Sequence, residues 1–354
     1  MLITLVSFFL ILIVVILAHE LGHFLTAKLS KVSVEEFGIF LPPRIISFKR
    51  GETVYSLNAI PLGGFNKLAG EEDPKVPGSL AGKSIPTRLL VLSAGSLMNI
   101  ILPLLLLFIA YMIPHLESVN NIKTDKGELY VAEVVANSPA SRAGIKANDI
   151  IISANGEPVF NIGDYEKIID ANYGIEISID IKHSDASTAE VKLTPEADAP
   201  ASQGATGLAL STVVKKSYSF WEAIPQAFAG YWDLLLLFKD GIVGMIEGAI
   251  PVNLTGPVGI AQLTGEIVKT GIANLLRFAA VISLNLGIIN IFPIPAMDGG
   301  RIVFVLLEWV RRGKRVSPKT EAMIHSIGFF LLMIAFLVIS YHDIVRIITG
   351  GSLG

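Results

Sequence analysis

The amino-acid sequence predicts a polytopic α-helical membrane protein with about four transmembrane helices, a membrane-associated β-sheet at the cytoplasmic face and an extracytoplasmic α+β domain. Of its 354 residues, 52% are hydrophobic and 17% are charged, whereas soluble proteins carry about 25% charged residues. The apolar residues are concentrated in long uncharged runs, which is typical of membrane-spanning helices. The net charge of -3 gives no electrostatic basis for a nucleic-acid partner. The lack of cysteine excludes disulfides, thiol nucleophiles and cysteine metal sites.

Four runs are long enough to cross a bilayer, which takes about 20 apolar residues in a helix. The runs cover residues 2–27, 89–113, 272–291 and 324–339. The first run lacks the basic start and the clear small-residue cleavage site of a signal peptide, so we expect it to be retained as a helix. The predicted transmembrane segments, with their flanking residues, are 1–28, 87–114, 272–312 and 320–349.

The distribution of Lys and Arg near the helix ends predicts the orientation in the bilayer. The loop after the first run and the loop before the fourth are rich in Lys and Arg, so both should face the cytoplasm. Residues 115–217 hold 15 Asp and Glu against 9 Lys and Arg and belong outside. We therefore expect four spans with both termini on the outside.

Residues 29–86 are predicted to form a membrane-associated β-region with a glycine loop. The stretches 32–40 and 52–60 alternate in part and are rich in β-branched and aromatic residues, with turn signals between them. The pair Gly63-Gly64 allows a tight turn or a close backbone approach, because glycine has no Cβ. A plain connector is the alternative interpretation of this pair.

Residues 122–198 are predicted to form a compact β-rich domain. A strand, a short capped helix and an Asn-Gly hairpin are followed by a helix and two further strands. That order, with Ser138-Pro-Ala-x-x-Ala-Gly-Ile and then Asn148-Asp149-Ile-Ile, resembles a bacterial-type PDZ domain, although that family usually has Gly at position 148. The resemblance implies binding of extended peptides by strand addition, and a PDZ-shaped spacer or steric gate is the alternative. A linker is predicted over 198–204.

The region 205–271 is predicted to hold an amphipathic helix that lies at the membrane interface. Residues 220–250 carry several aromatic side chains of the kind found at interfaces. Three charged residues, Asp233, Lys239 and Asp240, interrupt the apolar sequence and disfavour the alternative of a fifth span.

The first run ends in His19-Glu20-Leu21-Gly22-His23. Residues i and i+4 of a helix share a face, so His19 and His23 can hold one metal ion together. Glu20 then lies beside the metal, where a hydrolytic site needs a base for water. Ionisable residues inside a span cost at least about 2.5 kcal/mol each on insertion scales, so this cluster indicates a functional site. A polar helix end at the interface is the alternative.

A hydrolytic zinc site uses three protein ligands and one open position. Without cysteine the third ligand must be His, Asp or Glu, and the leading candidate is Asp298 in Asn290-Ile-Phe-Pro-Ile-Pro-Ala-Met-Asp-Gly-Gly-Arg301. The prolines break a helix there, and irregular backbone at membrane depth is tolerated where it is buried or lines a cavity. A helix cap is the alternative role for Asp298. The remaining histidines are predicted to lie outside the membrane or at its interfaces: His115, His183, His325 and His342.

Together these motifs resemble the site-2 protease family, and within it the bacterial regulator-of-sigma-E type of intramembrane zinc metalloprotease with a single PDZ domain. The resemblance covers essentially the whole chain. It includes three further segments: Pro61-Leu-Gly-Gly-Phe-Asn-Lys-Leu-Ala-Gly-Glu71, Ala94-Gly-Ser-Leu-Met-Asn99 and Gly256-Pro-Val-Gly-Ile260. Two departures are Met297, where Leu is commoner, and Ser96, where Pro is commoner.

The resemblance implies one Zn2+ ion per chain with three protein ligands: His19, His23 and Asp298. It implies Glu20 as general base and acid, and Asn290 as a hydrogen-bond partner of the substrate backbone. We expect an edge strand of the β-region, or the loop around Gly63 and Gly64, to bind an unwound substrate segment by strand addition.

The resulting expectation is a zinc-dependent intramembrane endopeptidase of the bacterial cytoplasmic membrane, with its active site near the cytoplasmic side of the lipid bilayer. Its substrates would be single-span membrane proteins, such as anti-sigma factors or remnant signal peptides, after a first cut by another protease. Two alternatives remain open: a catalytically inactive membrane PDZ scaffold or chaperone, and a metal transporter. A transporter would need polar residues along a path through several spans, whereas here they cluster at one depth.

Overall fold

The computed structural model describes residues 2–71, 73–119, 127–183, 187–197, 200, 204–249 and 255–349. The chain forms two compact units: unit 1 combines Met1–Ile113 with Tyr218–Gly354, and unit 2 is Pro114–Ser217. The helices in chain order are α1 (Leu2–Leu29), α2 (Ile85–Met112), α3 (Pro139–Arg142), α4 (Ile162–Asp170), α5 (Phe220–Ile246), α6 (Pro257–Ile267), α7 (Ile272–Ile291), α8 (Asp298–Val310) and α9 (Pro318–Ile348). The strands in chain order are β1 (Val34–Arg50), β2 (Thr53–Leu68), β3 (His115–Ser118), β4 (Glu128–Val134), β5 (Ile150–Ala154), β6 (Glu157–Pro158), β7 (Ile177–Lys182), β8 (Thr188–Leu193) and β9 (Leu208–Lys216).

Four helices of the described chain are long and apolar enough to cross a membrane, which agrees with the predicted number of candidate spans. They are α1, α2, α7 and α9. In α2, 44% of the most apolar stretch is buried inside the protein, against 6% in α9. α2 is therefore the central helix of unit 1, and α9 presents most of its apolar surface to the surroundings.

α5 covers the predicted interfacial helix. Its exposed aromatic side chains include Trp221, Phe228 and Trp232, while Ala223 and Ala227 are buried. Among the described residues, α5 is not one of the helices apolar enough to span a membrane. Its position at the interface stays a prediction.

Small residues let the helices around α2 approach one another closely. A Cβ at Gly22 of α1 would overlap the Ala94 carbonyl of α2. A Cβ at Gly287 of α7 would lie 2.9 Å from the Ser96 carbonyl oxygen. Because both contacts flank Gly95, the helices α1, α2 and α7 converge at one level of unit 1.

β1 and β2 form the predicted small sheet. Both strands are long, and different parts of each pair with different parts of the other. Residues 36–39 pair with 64–67 on one side and with 54–57 on the other, and 47–50 pair with 53–56 across the turn between the strands. In the described chain, residues 64–67 pair on one side only. We call 64–67 the edge segment of the sheet.

Unit 2 is built on one antiparallel sheet with the strand order β3-β9-β4-β5-β7-β8, to which β6 is added beside β5. Alternating apolar residues point into its core, among them Ile177, Ile179 and Ile181, each at most 1% exposed. Asn161 caps α4 by accepting a hydrogen bond from the backbone N–H of Asp164.

Unit 2 differs from the sequence prediction at its boundaries. The predicted domain ends at 198, yet β9 pairs with both β4 and β3 and so belongs to the same sheet. β3 also lies outside the predicted range. Both strands find their partners far away in the chain, so no local pattern marks them as parts of the domain. The predicted start at 122 and most of the predicted linker over 198–204 lie outside the described residues.

Candidate active site

The histidine pair stands near the end of α1 and faces α2. His19 and His23 are one helical turn apart, and their Nε2 atoms are separated by 3.3 Å. Nδ1 of His23 donates to the carbonyl oxygen of Val91 in α2 at 2.8 Å. This bond fixes the tautomer that leaves Nε2 free to bind a metal. A Cβ at Gly95 would overlap both imidazole rings, so α2 needs glycine here.

Asp298 is the first residue of α8 and follows a turn that contains two prolines. Within this turn Ala296 has a φ of 73°, and its backbone N–H donates to Nδ1 of His325 on α9 at 2.9 Å. A Cβ at Gly299 would overlap backbone carbonyls at the end of α7. Glycine therefore allows α8 to begin directly against α7, which brings Asp298 to the histidines.

The three predicted ligand atoms form a nearly equilateral triangle. Asp298 Oδ2 lies 3.2 Å from His23 Nε2 and 3.3 Å from His19 Nε2, and the two nitrogens are 3.3 Å apart. Bonds of about 2.0–2.1 Å in a tetrahedral zinc site place neighbouring ligand atoms about 3.3–3.4 Å apart. The donors are nitrogen and oxygen atoms of the kind that zinc accepts, on side chains 11–17% exposed. These residues fit a zinc ion with three protein ligands.

Glu20 lies beside the triangle and is held by Asn66 of β2. Nδ2 of Asn66 donates to Oε2 of Glu20 at 2.6 Å and to the Glu20 backbone carbonyl at 2.7 Å. A Cβ at Gly64 would lie 2.7 Å from Cγ of Glu20, so glycine lets β2 pass close to α1. The edge segment therefore runs directly past Glu20.

A cavity of about 260 Å³ adjoins the triangle, and Glu20 is part of its lining. Asn290, the last polar residue of α7, contributes to the lining and is 9% exposed. Arg301 and Glu71 also line the cavity and form an ion pair with 2.8 Å between Nη1 and Oε2. A reacting group in this cavity would be within reach of the ligands and of Glu20.

The structure brings the three predicted ligands, Glu20 and Asn290 to one cavity. The two glycines predicted to form a loop lie instead within β2, where Gly64 pairs with Ile39 of β1. They differ in their surroundings. Gly64 lies against Glu20, whereas a Cβ at Gly63 would make only ordinary contacts, at 3.6 Å and beyond, with the Leu41 side chain. The substrate-binding role of both glycines stays a prediction. Of the other histidines, His115 and His183 lie in unit 2, and His325 and His342 lie on α9.

Sequence reasoning missed three residues that support the site. Asn66 and Val91 hydrogen-bond to predicted site residues 46 and 68 positions away in the chain, and Gly95 makes room for the imidazole rings. Contacts of such separation leave no local periodicity in the sequence. The only signal for Asn66 and Gly95 is that they lie in segments that carry the family resemblance.

Two imidazoles and a carboxylate around one point, with a glutamate next to them, are the parts of a hydrolytic zinc centre. The histidines and the glutamate lie on α1, which is long and apolar enough to cross a membrane. The carboxylate lies on α8, which begins against the end of α7, another helix of this kind. The fold and the site thus define the class of membrane zinc metalloproteases. The sequence comparison agrees, since the family model described as peptidase family M50 matches residues 7–335, and the chain belongs to this family.

The chain is similar to curated relatives over almost its whole length. A candidate zinc metalloprotease of Clostridium acetobutylicum is 34% identical over 94% of this chain and 94% of its own. The regulator of sigma-W protease RasP of Bacillus subtilis is 27% identical over 97% of this chain and 99% of its own. The zinc metalloprotease RasP of Geobacillus kaustophilus is 29% identical over 96% and 97%. The expectation of a zinc metalloprotease in a bacterial membrane is therefore confirmed.

A solved structure, the PDZ domain of the SdrC-like protein of Listeria monocytogenes, is similar to part of the chain. The likeness covers 25% of this chain and 92% of the other, with 20% sequence identity and a TM-score of 0.21. The PDZ identity of unit 2 stays a prediction from its sequence motifs.

Proposed function

We propose that this protein is a zinc-dependent intramembrane endopeptidase that cleaves the transmembrane segments of single-span membrane proteins. The observation that carries the proposal is the triangle of His19, His23 and Asp298, with sides of 3.2–3.3 Å, at the end of an apolar helix. Glu20, held by Asn66, lies next to the triangle and lines the same cavity.

In the proposed mechanism Glu20 is the general base and acid. Bound zinc supplies a Lewis acid that polarises the scissile carbonyl and lowers the pKa of water. Glu20 takes a proton from the attacking water and returns it to the nitrogen of the leaving peptide. Asn66 engages Oε2 of Glu20, and we assign the proton transfer to Oε1.

The substrate is proposed to bind as an unwound, extended segment. A peptide carbonyl within a helix is already hydrogen-bonded, so local unwinding must come before attack. The edge segment runs past Glu20, so a strand added there would bring substrate backbone to the cavity. Gly64 permits the close approach, and Gly63 precedes it within β2. Asn290 is assigned to hydrogen-bond the substrate backbone from α7.

Proline substitutions test this strand addition, because proline removes the backbone donor that an added strand needs. The N–H of Ala69 donates toward β1 and that of Leu68 does not. By alternation, the N–H groups of Gly64 and Asn66 therefore face the open side. Gly64→Pro and Asn66→Pro are therefore expected to cleave more slowly than Gly64→Ala and Asn66→Ala while zinc content stays at the native level. Ile45→Pro, in an exposed part of β1 away from the edge segment, is the control. Proline variants that cleave as fast as their alanine counterparts would rule out strand addition there.

The active site is proposed to face the cytoplasm and unit 2 the outside, because the loops next to the site are rich in Lys and Arg. The chain has no cysteine, so a single introduced cysteine is the only labelling site. Lys146→Cys in unit 2 should react with an impermeant maleimide on intact spheroplasts, and Lys49→Cys only in inverted vesicles. The reverse pattern contradicts this orientation.

Unit 2 is proposed to select substrates as a PDZ domain. A groove of about 510 Å³ runs between α4 and β9, with Ile169 and Leu208 in its lining, and an extended peptide fits such a groove. We propose substrates that another protease has already shortened, such as anti-sigma factors or remnant signal peptides. The similar protease named for the regulation of sigma-W supports the first of these classes.

Cleavage of a tagged single-span substrate by the purified protein tests the proposed function. We expect a product cut inside the span, loss of this product with a chelator, and recovery when Zn2+ is added back. A catalytically inactive scaffold or chaperone would instead bind the substrate and release no product at any zinc concentration. That result, across several substrates of this class, would overturn the proposal.

A further inference from the structure

The hydroxyl of Ser96 in α2 makes a contact that the mechanism above does not use. Ser96 is 0% exposed, and its Oγ donates to Oδ2 of Asp298 at 3.3 Å. We propose that Ser96 is a positioning residue that holds the Asp298 carboxylate in the geometry for binding zinc. This inference rests on the proposed role of Asp298 as a ligand.

The Ser96 hydroxyl donates to a neighbouring helix rather than to a carbonyl of its own helix. A serine inside a helix commonly donates to a carbonyl one turn earlier, as Ser93 does to Leu90 at 3.3 Å. Ser96 instead reaches α8, 202 positions away in the chain. Its backbone is fixed against α7, where a Cβ at Gly287 would lie 2.9 Å from the Ser96 carbonyl oxygen.

The oxygen that Ser96 contacts is the one that matters for the metal. Oδ2 of Asp298 is also the atom 3.2–3.3 Å from the two histidine Nε2 atoms. A carboxylate turns about its last bond unless a second partner fixes it, and donors to ligating carboxylates orient them for the metal. The Ser96 bond therefore fixes the rotation of the carboxylate, so that one of its two equivalent oxygens stays in the triangle.

Ser96 follows two other residues of α2 that support the site. Val91 accepts the hydrogen bond that orients His23, and Gly95 makes room for both imidazoles. Val91 and Gly95 are four positions apart and so lie on one face of the helix, whereas Ser96 is the next residue around the axis. Neighbouring positions of α2 thus support both the histidines and the carboxylate, and Ser96 is the contact with Asp298.

The experiment measures zinc affinity of the purified full-length protein by competition with a chromophoric chelator. Ser96→Ala is expected to weaken Zn2+ binding about 10- to 100-fold, the usual effect of losing a partner of a metal ligand. The control is Ser283→Ala, which removes an equally buried hydroxyl that donates to the Asn99 carbonyl at 2.8 Å. This control should bind Zn2+ as the native protein does.

A second pair of variants keeps the test valid if Ser96→Ala folds poorly. Ser96→Thr and Ser96→Val have nearly the same shape, so a difference between them reports the hydroxyl. Thr should retain tighter Zn2+ binding than Val. The visible absorption of Co2+ bound in place of zinc should be native-like with Thr and altered with Val, because the carboxylate is no longer fixed.

The outcomes separate this inference from the proposed function. If Ser96→Ala and Ser96→Val match the native protein while His19→Ala abolishes Zn2+ binding, the site stands and the role of Ser96 is refuted. If His19→Ala and Asp298→Ala also bind Zn2+ like the native protein, the proposed metal site itself fails.

Discussion

Asn66 donates two hydrogen bonds from one amide nitrogen, to the side chain and to the backbone of Glu20. This arrangement ties the proposed base on α1 to the edge segment of the β-sheet. The element that is proposed to receive the substrate therefore also sets the direction of the Glu20 carboxylate.

Asn66→Ala is expected to lower kcat about 10- to 100-fold, because losing a hydrogen bond to a charged group costs about 1.5–3 kcal/mol. KM should change much less, since Asn66 acts through Glu20, and bound zinc should stay at the native level. Steady-state cleavage kinetics with metal analysis measure all three quantities.

The control for this substitution is Asn274→Ala, whose amide donates to Thr270, just before α7 begins. It should leave kcat unchanged. A native kcat in Asn66→Ala would show that the Glu20 carboxylate does not depend on this amide.

A site residue can be predicted from the sequence when the residues it acts with lie close to it in the chain. His19, Glu20 and His23 lie within one helical turn, so their spacing alone indicates a shared site. Asp298 was recognisable because prolines and glycines surround it. The partners that orient these groups lie far away in sequence and become visible only when α2 and β2 are packed against α1.

At the scale of elements, an ion-pair cluster joins the start of α2 to the end of α8. Arg88 Nη1 lies 2.5 Å from Glu308 Oε2, and Arg315 Nε lies 3.1 Å from Oε1. The Arg88 and Glu308 side chains are 10% and 9% exposed. Burial alone would raise the pKa of Glu308, but the hydrogen bonds from both arginines hold the pKa below its ordinary value.

Glu308→Gln is expected to destabilise the protein by roughly 3 kcal/mol, because it leaves the buried Arg88 charge without its partner. Because Arg315 is partly exposed, the loss of its own pairing costs little. The destabilisation therefore stays near the low end of the range for a broken buried ion pair. Thermal melting in detergent measures it. Asp240→Asn, which breaks an exposed pair with Lys239 on α5, should change stability by less than about 1 kcal/mol.

The same cluster predicts a pH dependence. A carboxyl with a lowered pKa in the folded state stabilises the protein above its ordinary pKa of 4.5, and this contribution is lost as the pH falls further. Below this pH the native protein should lose stability more steeply than Glu308→Gln. Parallel curves for the two proteins would contradict a stabilising role of the charged cluster.

Sequence reasoning recovered some elements well and others only in part. The four candidate spans were predicted because apolar composition is a local property. The double pairing of β1 and the place of β9 in the sheet of unit 2 were not, because strand partners are chosen by tertiary packing. Elements fixed by composition are therefore readable from the sequence, and elements fixed by distant partners are not.

At the scale of the whole molecule, the proposed zinc ion joins parts of the chain that are 275 positions apart, His23 on α1 and Asp298 on α8. Without such a link, α1 and α8 meet through side-chain contacts alone. Metal binding should therefore stabilise unit 1 as well as activate it.

Removing zinc is expected to lower the melting temperature, and zinc at 100 times its dissociation constant should add about 2.7 kcal/mol of stability. The shift should be absent in His23→Ala, whose melting should not respond to chelator or to added zinc. Differential scanning calorimetry of the native protein and of His23→Ala in detergent, with and without zinc, measures these melting temperatures. A zinc-dependent shift of native size in His23→Ala would place the metal elsewhere.

The most direct measurement of the central claim compares the native protein with Glu20→Gln on one tagged single-span substrate, with bound zinc quantified in both. The account predicts native zinc content in the variant, because Glu20 is not a ligand, and loss of the intramembrane product. A variant that cuts at the native rate would contradict the assignment of Glu20 as the base. A native protein that binds zinc and substrate but never cuts would contradict the protease itself.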